Sequence, residues 1–126
     1  MIGNTDWNLS LRHNIEIVET SKEKQYIPVP YDFDYSGFVN ANYARPYPGL
    51  PVSNVRERFF QWRGDNHASL LESLDHFRER KEPILELISN CQWASQASII
   101  EMYQYISSFF DIIESTDPLE NMGIKK

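Results

Sequence analysis

Asp6, His13 and Asn14 lie within the stretch GNTDWNLSLRHN, and Asp32 and Asp34 close the stretch YIPVPYDFDYSG. A hairpin between the two stretches would bring carboxylate and amide oxygens together from two loops. Oxygen donors are what a hydrated divalent cation and a phosphoryl group require, because both are hard and highly charged. Two carboxylates two residues apart, such as Asp32 and Asp34, repel each other unless they are solvated, paired or metal-bound. Each of these residues also has a plainer role open to it. Asp and Asn in loops cap turns, and His13 beside a strand can be a structural imidazole.

The elements that must position these residues are set by the residue pattern. Met1 to Arg12 is rich in Asn, Asp, Ser and Thr and reads as a loop. Apolar and charged residues alternate from Asn14 to Glu19, which predicts a half-buried strand, and Thr20 to Lys24 makes the turn. Gln25 to Val29 returns as a second strand. Pro28 and Pro30 confine it to an edge, or to positions where a missing N–H does no harm. Prolines and Gly49 make Phe38 to Val55 irregular, and Val55 to Trp62 fits a short helix or a strand equally well.

Helices dominate the C-terminal half. Ser69 and Glu72 have capping-box spacing ahead of Leu70, Leu71, Leu74 and Phe77. Pro83 suits the first turn of a new helix with Ile84, Leu85, Leu87, Ile88 and Cys91 inward, so two helices or one kinked helix result. Ser95 caps a last helix carrying Ile99, Met102, Tyr103, Ile106, Phe109, Phe110 and Ile113, which ends near Ser115 to Pro118. The expected fold is therefore α+β and mainly helical: a small β-hairpin and irregular loops packed on two or three C-terminal helices. Residues 1–117 form a single domain in this reading, and 118–126 a flexible tail.

Composition narrows the function classes. A chain of 126 residues with 41% hydrophobic side chains can bury a core. Its net charge of −6 opposes sequence-independent nucleic-acid binding, which needs clustered Lys and Arg. Cys91 is the sole cysteine, so neither an intramolecular disulfide nor a cysteine metal cluster can form. No apolar run approaches the roughly 20 residues that span a bilayer, and polar residues follow Met1 in place of a signal-peptide core. The chain is expected to be soluble, with no membrane partner, and its compartment is left open.

Asn4-Thr5-Asp6 with His13-Asn14, followed by Tyr31-Asp32-Phe33-Asp34, resembles the catalytic loop and metal-binding motif of atypical protein-kinase-like enzymes. The spore-coat CotH kinases are the nearer likeness and the HipA kinases the looser one. The run GNTDW, HN, VPYDFDYSG and VRER also resembles an uncharacterised family of longer bacterial proteins. The kinase resemblance implies a C-lobe-like fold, Mg²⁺ or Mn²⁺ and ATP as cofactors, and a nucleotide and a hydroxyl compound as substrates. It implies that Asp6 orients or deprotonates the attacking hydroxyl, with His13 in support. Asn14 would bind the metal, Asp32 would bridge metal and phosphates, and Asp34 would be a second or water-mediated ligand.

Two departures qualify what is implied. Asp6 and Asn14 are eight residues apart, where ordinary protein kinases place the pair about five apart, so Trp7 to Arg12 must loop out. The glycines, at 3, 37, 49, 64 and 123, form no phosphate-covering loop. The chain is thus expected to be the C-terminal part of a longer protein lacking the nucleotide-binding lobe and inactive alone, with a homodimer through the open face in prospect. Arg56, Arg58 and Arg63 are read either as bidentate phosphate ligands or as partners of Asp32, Asp34 or Glu57. Asp32 to Gly37 also resembles the start of an EF-hand calcium loop, with Tyr43 where the bidentate Glu belongs, and the nucleophile motif of haloacid-dehalogenase phosphatases. The reading outside enzymology is a non-catalytic globular interaction module.

Overall fold

The computed structural model describes residues 1–21, 24–62 and 66–124. Two compact units emerge, one of residues 2–58 and one of residues 59 onward together with Met1. Among the described residues there are two strands, β1 (Ile15–Glu19) and β2 (Tyr26–Pro30), and four helices, α1 (His67–Arg78), α2 (Lys81–Ser89), α3 (Gln96–Ile113) and α4 (Pro118–Asn121). The fold is α+β.

In the first unit β1 and β2 pair antiparallel, with Ile15 opposite Pro30, Ile17 opposite Pro28 and Glu19 opposite Tyr26. Backbone bonds from Tyr31 N to Asn14 O (3.0 Å) and from Thr20 N to Gln25 O (2.9 Å) bracket the ladder. Bonded and non-bonded pairs alternate between such brackets, so Pro28 and Pro30 occupy the non-bonded positions, where no N–H is needed. The N-terminal loop is tied down separately. Gly37 N donates to Gly3 O and Phe38 N to Ile2 O, and Asn4 and Ser36 form an isolated bridge. Ser36 is fully buried, and its Oγ accepts from Val39 N at 3.2 Å. Residues 55–62, open between helix and strand in the sequence, form neither.

In the second unit α3 is the hub. Its Tyr105, Ile106, Phe109, Phe110 and Ile113 are buried together with Leu70 and Leu74 of α1 and Leu85 and Ile88 of α2. The rings of Phe77, Phe109 and Phe110 meet edge to face at 5.3 and 5.5 Å. Tyr103, expected in this core, is exposed, and Tyr105 takes its place because the buried stripe is set by the second half of α3. Arg78 Nε donates to Ile113 O at 3.0 Å, putting a cation at the carbonyl end of α3.

Helix boundaries are set by the caps. Asn66, not Ser69, caps α1: its side chain accepts from the N–H groups of Ala68 and Ser69, and its backbone leaves helical geometry. Ser95 Oγ accepts from Ser98 N and caps α3 as expected, and Pro83 lies in the first turn of α2. The segment from Pro118, expected as a flexible tail, instead turns once more. Asp117 caps it, Pro118 starts it, and Leu119 and Met122 are buried. Gly123, at φ +71°, donates to Glu120 O while Ile124 N reaches Leu119 O, which closes α4 with a Schellman motif. No described helix is long and apolar enough to cross a membrane.

Candidate functional site

The site lies in the first unit, where the ends of β1 and β2 meet. Asn14 precedes β1 and Asp32 follows β2, and both adopt left-handed backbone, at φ +54° and +55°. Asn and Asp tolerate that region better than most residues, because short polar side chains satisfy the local backbone. The two segments therefore turn away from the ladder one residue apart in register.

The eight-residue spacing of Asp6 and Asn14 is absorbed by a pinch. Asn8 and His13 exchange backbone bonds of 3.1 and 2.9 Å, and Arg12 N returns to Leu9 O, so residues 9–12 are extruded as a small loop. The extruded segment is shorter than the expected Trp7 to Arg12, because Asn8 is held in the pinch and Trp7 is bonded to Tyr31 and Asp32. Across the pinch Asn14 Nδ2 donates to Asp6 Oδ2 at 2.7 Å, a short charge-assisted bond on a carboxylate that is 23% exposed. With Nδ2 committed, Oδ1 is the atom Asn14 has for a cation. His13 Nδ1 lies 2.8 Å from the Asp6 carbonyl oxygen. That oxygen only accepts, so Nδ1 carries the hydrogen and Nε2 is the basic nitrogen of the neutral ring.

A second set of bonds seats Asp32. Trp7 Nε1 donates to Tyr31 O at 2.8 Å and to Asp32 O at 3.2 Å, and Asn4 Nδ2 donates to the same Asp32 carbonyl at 3.2 Å. Asn4 Oδ1 also accepts from Asp6 N at 2.8 Å, so Asn4 couples the two loops directly. The Trp7 indole packs edge-on against Phe33 at 5.0 Å. Sequence pattern does not single out Asn4 and Trp7 as positioning residues. Their bonds to the Tyr31 and Asp32 carbonyls span more than twenty positions, and no local spacing announces such a bond.

The carboxyls of Asp32 and Asp34 share a hydrogen bond. That bond, followed by desolvation and the Asp34 charge, holds Asp32 above the usual carboxylate range, and Asp6 adds to the effect. Asp34 is held below that range, first by the Asp32 bond and further by the Tyr43 hydroxyl, which donates to its Oδ2 at 2.9 Å. Tyr43 is pushed up in turn, chiefly by that bond, and remains a neutral donor. The two shifts are opposed, so Asp34 gives up its proton at lower pH than Asp32. Tyr43, which in the sequence marks only a failed calcium position, is part of the site.

Asp6, Asn14, His13, Asp32 and Asp34 are thus gathered at one end of the hairpin. Arg56 Nη1 donates to Gly37 O at 3.0 Å. Glu57 accepts from Ser53 N, Ser53 Oγ and Asn54 Nδ2. Arg63 lies outside the described residues. Among the described residues no group of three or more His, Cys, Asp and Glu side chains forms a metal cage. A Mg²⁺ ion needs none, since it keeps several waters and takes one or two carboxylates together with substrate phosphates. Asp32 and Asp34, whose carboxyls interact with each other, are the two side chains of this end that could supply such a pair. No known protein family, curated protein or solved structure matches the chain.

Proposed function

We propose that residues 2–58 carry the catalytic-loop and metal-binding half of a kinase-like phosphotransferase, C-lobe-like in role and inactive alone. The observation that carries this reading is the Asp6–Asn14 bond closing over an extruded loop, with the interacting Asp32–Asp34 pair at the same end of the hairpin. Asp32 and Asp34 would hold Mg²⁺ or Mn²⁺, with Asn14 Oδ1 as the amide ligand. When bound, the ion supplies charge neutralisation for the phosphates of ATP.

Asp6, fixed by Asn14 and with His13 Nδ1 on its carbonyl, would orient the attacking hydroxyl and receive its proton. Arg56 is committed to the Gly37 carbonyl, so the reading assigns it to holding the loop. The glycines of the chain lack the spacing of a phosphate-covering loop, so the reading assigns no nucleotide contact to them.

Metal titration tests the reading. Thermal unfolding of the wild-type chain is expected to move upward with added Mg²⁺ or Mn²⁺, since a ligand that binds only the folded state stabilises it. Asp32→Ala is expected to abolish that shift. An unresponsive wild type, or an Asp32→Ala chain with the same response, overturns the proposal and leaves the interaction-module reading.

A further inference from the structure

The hairpin has one blocked edge and one open edge. Pairs 14/31, 16/29, 18/27 and 20/25 are the bonded ones, as the bonds at Asn14 and Thr20 require, so residues 15, 17 and 19 and residues 26, 28 and 30 direct their backbone groups outward. On β2 two of those three residues are proline and offer no donor. On β1 they are Ile15, Ile17 and Glu19, which present three N–H and three C=O groups. Among the described residues the sheet has two strands, and no third one pairs with β1.

The side chains around that edge are both apolar and acidic. Val18, Ile27 and Val29 share one face with Glu16 and are 48%, 45% and 43% exposed. Among the described residues neither Glu16 nor Glu19 is in an ion pair. Edge strands are usually protected by Lys, Pro or a bulge. β2 has such protection in its prolines, and β1 has only its two carboxylates, which repel acidic strands and attract basic ones. A second copy of this chain would bring the same two glutamates and a net charge of −6 to the interface.

We infer that the outer edge of β1 is a docking site for an extended basic segment added as a third, antiparallel strand. The register fixes the pattern. Residues opposite Glu19, Val18, Ile17, Glu16 and Ile15 must read, from N to C, basic, apolar, apolar, basic, apolar. Backbone bonds supply the affinity and the two cross-strand charge pairs the selectivity. This inference is independent of the phosphotransfer reading.

The probe is a capped synthetic peptide, Thr-Lys-Val-Val-Lys-Val-Thr, titrated calorimetrically into the full chain at low salt beside a control in which both Lys are Glu. The Lys peptide is expected to bind at least about tenfold tighter than the control. Ile17→Pro removes an outward N–H without touching a β1–β2 bond and is expected to weaken binding about tenfold or more. Glu16→Lys leaves the backbone edge intact and is expected to erase the preference for the Lys peptide. Equal binding of the two peptides, no binding at millimolar peptide, or a Glu16→Lys chain with unchanged preference overturns the inference. A dimer in sedimentation that Glu16→Lys or Ile17→Pro disrupts assigns the edge to a second copy and overturns it equally.

Discussion

Replacing Asn14 by Ala and by Gly separates the two things this residue does. Its amide makes a 2.7 Å bond to a carboxylate that is 23% exposed, and its backbone sits at φ +54°. Hydrogen bonds to charged groups contribute about 1.5–3 kcal/mol, and partial exposure puts this one at the lower end, about 1.5 kcal/mol. Asn14→Gly loses that bond and keeps a residue at ease in the left-handed region. Asn14→Ala loses the bond and also carries a Cβ into that region, for about 1 kcal/mol more. Urea denaturation is therefore expected to give losses of about 1.5 kcal/mol for Gly and about 2.5 kcal/mol for Ala, with unchanged m-values. A double-mutant cycle of Asn14→Gly with Asp6→Ala should return a coupling of about 1 kcal/mol or more. Equal losses for Gly and Ala would refute the backbone part of this reasoning, and a coupling below about 0.5 kcal/mol would refute the bond.

Two further outcomes are expected from other contacts. Tyr43→Phe removes the hydroxyl that donates to Asp34, so the Asp34 carboxyl should titrate at higher pH in carbon-detected NMR. The stability that a depressed carboxylate contributes is present above its unfolded pKa and lost as pH falls through its folded value, so the acid limb of the stability profile should move upward in the variant. An unmoved Asp34 titration contradicts this. Phe110→Ala empties a fully buried position in the last turn of α3 and should cost about 3–5 kcal/mol in the second unit, and a loss under about 1.5 kcal/mol would show that α3 is not its hub.

What is legible in the sequence is what local period and local chemistry encode. The alternation at 15–19, the prolines at 28 and 30, the Ser95 cap and the apolar stripe through Phe109 and Phe110 each carry their own signal, and the elements form close to where those signals stand. Asn66 and Ser69 are both competent caps, and only the backbone at Asn66 decides between them. α4 is four residues long, too short to show a period, and is made by a cap, a proline and a closing glycine together. In the site the titratable residues are legible by type, but their supports are not. The Asn8–His13 pinch, the Trp7 bond to the Asp32 carbonyl and the Tyr43 bond to Asp34 are non-local choices that the chain makes only once folded.

The site depends on the hairpin register, and the prolines help to enforce that register. Asn14 pairs with Tyr31, so Asp32 is the first residue past that pair on one strand just as His13 is the last before it on the other. A slip of one residue could be made in two ways. Rotating β2 would turn Pro28 and Pro30 toward β1, where two donors are needed and none exists, at about 1 kcal/mol per lost bond before any burial penalty. Rotating β1 would exchange half-buried Ile15 and Ile17 for Glu16 and Val18, which places a carboxylate on the covered face. Both slips are penalised, and the observed register is the one in which prolines face out and isoleucines face in. The same two prolines that close the outer edge of β2 thereby keep Asp32 and Asp34 at the same end of the hairpin as Asn14 and Asp6, and β1 is left as the edge of this sheet on which another strand can form.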